Sequence, residues 1–235
     1  MKIEILFPAF ANLFGEKTAI RYLSQCLPDA EFIGTDLNDT PAFAEGDVDM
    51  IFIGTMTESQ QELAIEKLLP YKEKIEETIE KGTVFLAVGN SLELFCDRIE
   101  DGDRVIPALG IFSQYAKRDM DNRANSLVMG EMEGMKIIGF KSQFSQLYGD
   151  NSNEYLFKVT RGYGINPDSM LEGLRRKNFM ATYALGPLLI INPDLIKYIF
   201  GLLGIPDTQL KYEDSIRKCY ELRLAEFEDM SRPFN

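Results

Sequence analysis

Residues 85–95 read FLAVGNSLELF: an apolar run, a turn at Gly89, Asn90 and Ser91, then the start of an amphipathic helical pattern. Many α/β enzymes expose a nucleophile where a strand turns this sharply into a helix, because the turn lifts one side chain clear of the sheet edge. Here the turn residue is Gly89, which has no side chain. Ser91 lies two residues further on, rotated by roughly 200° around a helix. Cys96 lies roughly 10 Å along the same helix and reads as a small core hydrophobe. Either would need a positioned base, and the chain contains no histidine. That absence closes Ser-His-Asp and Cys-His relays and the commonest catalytic zinc sites. The purely structural reading is a buried strand followed by a helix capped by Asn90 or Ser91, whose free N–H groups would suit a small anion.

Other chemistry-bearing stretches are weaker. Glu16 is either a first-turn acid on the dipole of the helix it opens or a residue facing a ligand near the turn. RGYGINP, residues 161–167, has two glycines but no Lys-Ser/Thr pair after them, so it reads as a turn and not a phosphate loop. KEKIEETIEK, residues 72–81, is a solvated helix with charge pairs four apart.

The elements that would position these residues alternate through the first hundred positions. Strand-like runs at Lys2–Phe7, Ala30–Gly34, Val48–Gly54 and Thr83–Gly89 are separated by helical patterns at 16–25 and at 59–81, the latter broken at Pro70. Near-continuously apolar strands separated by helices imply a parallel sheet covered on both faces. From Val105 to Tyr183 the runs become shorter (IFSQYAKR, NSLVMGE, MKIIGF, EYLFKVTR, FMATYAL), which predicts hairpins or an antiparallel extension of the same sheet. Helices at 193–203 and about 208–227 close the chain. No repeat or low-complexity linker divides it, so residues 1–235 are expected to form one domain.

Composition narrows the partners. Twenty-five Lys and Arg against 37 Asp and Glu give a formal charge of -12, which repels phosphate backbones and anionic lipid heads. Neither nucleic acid nor a membrane surface is expected as a partner. The N-terminal apolar run is broken by Glu4 and Pro8 and has no signal-peptide cleavage pattern, so the chain is expected to start at Met1. Residues 188–204 are interrupted by Asn192, Pro193, Asp194 and Lys197, too soon for a membrane span of about 20 apolar residues. Cys26, Cys96 and Cys219 are too few and too far apart for a disulfide framework or a zinc site. A cytoplasmic protein without metal or cofactor is the expectation.

Several stretches together resemble the glutamine amidotransferases of the cobyric acid synthase type, and within them the branch of lipid II isoglutaminyl synthase subunits. NLFGEKTA (12–19) is similar to the family's first loop, GTMTESQQ (54–61) to its glycine-rich oxyanion loop, and GNSLE (89–93) to its C-G-G-Y-Q elbow. GFKSQ (139–143) matches G-F-E-N-H, and ATYALGPLLIINP (181–193) matches G-T-Y-x-H-G-P-L-L-x-x-N-P. The resemblance implies a three-layer α/β sandwich of the class I glutaminase, flavodoxin-like fold, with a mostly parallel sheet and an antiparallel extension. It also implies a place in cell wall biosynthesis and a Mur-ligase-like partner subunit. On the same correspondence Gly89 stands where the family has its nucleophilic Cys, Leu185 where it has the His base, and Gln143 at a second His. Thr55 and Met56 replace glycines. Glu16, Thr55, Asn90 and Ser91 remain as residues for a small anionic ligand. The expected arrangement puts Gly89 in a tight turn at the carboxyl edge of the sheet, with Gln143 and Leu185 facing one narrowed, partly apolar cleft. Two functions stay open: a non-catalytic subunit or adapter, and an enzyme or anion-binding protein with a non-standard site.

Overall fold

The computed structural model describes residues 1–232 and 234. In chain order the first half runs β1 (Lys2–Leu6), α1 (Glu16–Cys26), β2 (Glu31–Thr35), α2 (Ala42–Glu45), β3 (Met50–Ile53), α3 (Glu58–Leu68), a 3-10 turn at Leu69–Tyr71, α4 (Lys72–Lys81) and β4 (Val84–Val88). A 3-10 segment at Gly89–Phe95 leads into β5 (Arg98–Asp101), β6 (Arg104–Pro107), β7 (Tyr115–Arg118), β8 (Ala124–Met132), β9 (Met135–Gln143) and β10 (Ser145–Tyr148). Then follow β11 (Phe157–Arg161), β12 (Leu171–Glu172), β13 (Leu174–Arg176), β14 (Phe179–Thr182), α5 (Leu188–Ile191), α6 (Pro193–Leu202) and α7 (Glu213–Glu228).

The central sheet has the order β13-β14-β4-β3-β1-β2. Strands β14, β4, β3, β1 and β2 are parallel, and β13 adds an antiparallel edge. Period-two alternation sorts the side chains into two cores. Ile3, Ile5, Met50, Phe52, Val84, Leu86 and Met180 face α1 and α6, whose Leu23, Ile196, Ile199 and Phe200 are buried against them. Leu6, Ile51, Ile53, Phe85, Ala87 and Phe179 face α3 and α4 through Ala64, Ile65, Leu68, Ile75 and Ile79. The result is the expected three-layer, mostly parallel sandwich. Glu4, in the middle of β1, is fully buried; its carboxylate accepts from Thr35 Oγ1 (2.6 Å) and from the amides of Ala42 and Phe43 (2.6 and 2.9 Å), which fastens the start of α2.

The remaining strands correct one expectation. They do not all join the central sheet but build two further four-stranded sheets, β10-β7-β5-β6 and β12-β11-β8-β9. The reason is local closure. Glu133 and Gly134, both at positive φ (49° and 78°), turn β8 directly into β9, and a two-residue turn of this kind matches strand twist. That long hairpin takes β11 on its free edge without needing the edge of the parallel sheet. Arg161, from the RGYGINP stretch, donates to the carbonyls of Phe227, Asp229 and Arg232, with distances of 2.6 and 2.8 Å to the first two. It thereby clasps the end of α7 to the third sheet. Among the described residues no helix is long and apolar enough to cross a membrane.

Candidate functional site

β4 is buried at every position between β3 and β14 and ends at the carboxyl edge of the parallel sheet, where open α/β sheets hold their ligands. Gly89 follows at φ 65°, a left-handed conformation that costs a glycine little and other residues more. What comes next differs from expectation. Residues 89–95 form a 3-10 segment buried throughout, not an amphipathic helix. Leu92, Leu94 and Phe95 are apolar anchors on all sides, and the Phe95 ring packs 5.2 Å from Phe85 and 4.9 Å from Phe179. Val88 occupies the N-cap position, with no side-chain cap.

Of Asn90 and Ser91, expected as caps or ligand contacts, neither caps the segment, and Asn90 lines the cleft described below. Asn90 reads the backbone of Met56 in both directions: Met56 N–H donates to Oδ1 (3.1 Å) and Nδ2 donates to Met56 O (2.8 Å). The Ser91 hydroxyl is fully buried and donates back to Val88 O at 2.8 Å, so it points into the sheet edge. Cys96 is likewise buried, and burial pushes its thiol pKa well above the ordinary value. A thiol held protonated is a poor nucleophile.

The loop after β3 is closed from within. The Thr55 N–H donates to Glu16 Oε1 (3.0 Å), the Met56 N–H to Asn90, and the Thr57 N–H to Gln60 Oε1 (3.0 Å) in a capping box at the start of α3. Glu16 also accepts from Phe14 N–H at 3.0 Å. It is buried, its pKa raised by desolvation against the pull of these backbone bonds, and it joins the two loops. The amides of 55, 56 and 57 thus each donate to a side chain of the protein itself.

Thr55 also fills the elbow. A Cβ built on Gly89 would lie 1.9 Å from Thr55 Cγ2 and 3.1 Å from Leu185 Cδ2. Leu185 is held behind the turn by a backbone bridge, donating to Phe140 O (2.8 Å) and accepting from Phe140 N–H (3.1 Å). Gln143, at the end of β9, lies at the cleft proper. This cleft, of about 240 Å³, is lined by Phe14, Thr55, Met56, Arg123, Gln143 and Phe144 among others. Gly89 and Leu185 thus adjoin one another, and Thr55 stands between them and the cleft with Gln143. Gln143 Nε2 donates to Ser145 O (2.9 Å), while Gln143 Oε1 and Thr55 Oγ1 are buried without a partner.

Arg123, which sequence reasoning did not single out, supplies the cation of the cleft, its guanidinium 4.9 Å above the Phe144 ring. Nothing in its sequence neighbourhood marks it. Beneath the elbow lies a second unanticipated group: Glu93, fully buried, accepts from Gln61 Nε2 (2.9 Å), Tyr183 OH (3.0 Å) and Ser145 Oγ. Arg118 reaches the far end of Gln61 (NH2 to Oε1, 2.8 Å). Glu93 belongs to this internal network and has no access to the cleft. Among the described residues no three His, Cys, Asp or Glu side chains are grouped to hold a metal ion.

Comparison with known proteins places these features. A family profile described as "CobB/CobQ-like glutamine amidotransferase domain" matches residues 3–190. Similar curated proteins include the lipid II isoglutaminyl synthase (glutamine-hydrolyzing) subunit GatD of Staphylococcus aureus (strain N315). It is 27% identical over 165 residues, 70% of this chain and 67% of that protein. The subunit of the same name from Streptococcus pneumoniae (strain ATCC BAA-255 / R6) is 26% identical over 205 residues, 83% of this chain and 77% of that protein. In fold the chain is similar to a crystal structure described as a glutamine amidotransferase, with TM-score 0.54, 12% identity, and 86% of this chain and 98% of that chain covered. It is also similar to PurLQS from Thermotoga maritima, with TM-score 0.52, 10% identity, and 95% and 98% covered.

Proposed function

The chain belongs to the CobB/CobQ-like glutamine amidotransferase family, and from that premise we propose that it is a GatD-like subunit which no longer hydrolyses glutamine. It works as one domain, in the cytoplasm, as the non-catalytic partner of a Mur-ligase-like subunit. The observation that carries this reading is the pairing of Gly89 with Thr55. The elbow that would carry a nucleophile has a glycine, and the volume its side chain would need is taken by the Thr55 methyl. The lack of any histidine and the closed amides of 55–57 agree with it, since nucleophile, base and oxyanion donors are missing together. Residues acting as a catalytic unit lose most of their effect when any one goes, so selection has had no partial activity to preserve. The relatives named as subunits of a synthase support a partner-facing role.

The anion-binding alternative draws less support, because its donors at the elbow and the 55–57 loop are engaged internally. The test has two arms. Purified chain is assayed for ammonia release from glutamine, where turnover above background that persists in Ser91→Ala and Cys96→Ala overturns the reading. In parallel, the chain is captured from its native host. Recovery of a Mur-ligase-like protein is the expected result, and its consistent absence from captures under mild salt contradicts the subunit role.

A further inference from the structure

We infer that the groove between α3 and β6 is a docking surface for an amphipathic helix of a partner protein, one that carries Lys or Arg beside its apolar stripe. The groove holds about 650 Å³ and shares no lining residue with the cleft at Gln143, so what docks here is independent of whether that cleft hydrolyses glutamine. α3 has two working faces. Gln61, Ala64, Ile65 and Leu68 are buried toward the core. Ser59, Glu62, Leu63 and Glu66, at the spacing i, i+3, i+4, i+7, form a second stripe that lines the groove, with Ile106 and Pro107 of β6 on the same lining. Leu63 is 47% exposed, Leu69 just past the helix 50%, and Val105, beside Ile106, 61%. Single apolar side chains scattered over a surface are ordinary, whereas several gathered along one groove mark an interaction site.

Backbone and charge select the occupant. β6 is an edge strand, paired with β5 alone, but it has four residues and ends in Pro107, which lacks an N–H, so it is a poor template for a further strand. The 11 residues of α3 run about 16 Å, a length that three turns of a second helix cover with its i, i+3/i+4, i+7 anchors laid along Leu63 and Leu69. Glu62 is paired with Arg104 (2.7 Å) and Arg118 (3.3 Å). Glu66, one turn further on, is exposed and has no ion-pair partner among the described residues. Two carboxylates four apart on a helix repel one another, and a cation arriving at Glu66 relieves this. A second copy of the chain brings the same carboxylates and the same net charge of -12, which opposes self-association. The acidic wall is also held from behind: buried Arg118 grips Asp101 (3.0 Å) as well as Glu62 and reaches Gln61 Oε1 (2.8 Å). A wall fixed in advance leaves less to be ordered on docking.

The experiment follows fluorescence anisotropy of a labelled Lys/Leu peptide of about 14 residues, its leucines spaced i, i+3, i+4, i+7, titrated with the intact chain. Two control peptides have the same composition in shuffled order, or Glu in place of Lys. Saturable binding of the patterned Lys peptide is expected, with both controls weaker by about tenfold or more. Leu63→Asp should weaken the Lys peptide to a similar extent, and Glu66→Lys should weaken it while strengthening the Glu peptide. Circular dichroism verifies that each variant is folded, and Leu69→Asp replaces Leu63→Asp if that variant is not. No binding of the patterned Lys peptide, equal binding of the shuffled one, or indifference to both Leu63→Asp and Glu66→Lys overturns the inference. Sedimentation equilibrium of the chain alone is expected to show a monomer. A dimer that Leu63→Asp dissociates makes a second copy the occupant of the groove and overturns the inference as well.

Discussion

Thr55 Cγ2 occupies the space into which any side chain on Gly89 would grow, 1.9 Å from the position of a Cβ there. A Gly89→Cys substitution therefore meets a steric obstacle at Thr55. Gly89→Ala should destabilise the fold by about 1–2 kcal/mol for the left-handed backbone, with about 1–3 kcal/mol more for overpacking. Adding Thr55→Gly should recover part of the loss, so that the pair shows favourable coupling in a denaturant double-mutant cycle. Additive costs would mean that the two residues do not compete for one space.

Lys141 and Glu172 form an ion pair of 2.5 Å whose side chains are both fully buried. Glu172 also accepts from Thr182 Oγ1 and Tyr183 N–H, each at 2.8 Å, and Lys141 donates to the carbonyls of Tyr163 (2.9 Å) and Gly164. Lys141→Met should cost about 3–5 kcal/mol, because it leaves a carboxylate buried without its counter-charge. The double variant Lys141→Met/Glu172→Leu should cost clearly less than the sum of the singles. Urea denaturation of the three variants measures both.

Glu93 gives a pH signature. Burial raises its pKa above the ordinary 4.5, outweighing the hydrogen bonds from Ser145, Gln61 and Tyr183 and the charge of Arg118. The folded state thus holds this proton more tightly than the unfolded chain does. The contribution is fully present below the unfolded pKa and is lost as pH rises through the folded one. Glu93→Gln removes the titration, so its stability relative to the wild type should improve as pH is raised from about 4 toward neutrality. A constant difference across that range would show that Glu93 titrates alike in both states.

Asn90→Ala should strand the N–H and C=O of Met56, which among the described residues only the Asn90 side chain pairs. The expected cost is about 1–3 kcal/mol, together with faster amide exchange at Met56. Exchange at Thr55, held by Glu16, should change less. An unchanged Met56 exchange rate would place its protection elsewhere.

The parallel core was legible in the sequence because its strands are apolar almost without interruption and Pro70 marks the break between α3 and α4. The division of the later strands into two separate sheets was not, since period-two alternation states which face is buried but not which sheet a strand joins. At the site, Gly89, Leu185 and Gln143 could be picked out by their neighbours in recurring motifs. What could not be seen was how side chains occupy distant backbone donors: Glu16 lies 39 residues from the Thr55 amide and Asn90 34 from that of Met56. Arg123 and Glu93 escaped for the same reason, because only the folded chain brings the first to Gln143 and the second to Gln61 and Tyr183.

The helix α6 begins just past residue 190, where the family match ends, yet Leu195, Ile196, Ile199 and Phe200 lie in the same buried cluster as Ile3, Phe52 and Leu86. The end of the profile match and the end of the folded core are thus different places. A gene cut at the former would encode a polypeptide with one face of its central sheet uncovered, a greasy surface prone to self-association. The smallest piece of this protein that can be made and handled alone must extend at least through residue 202.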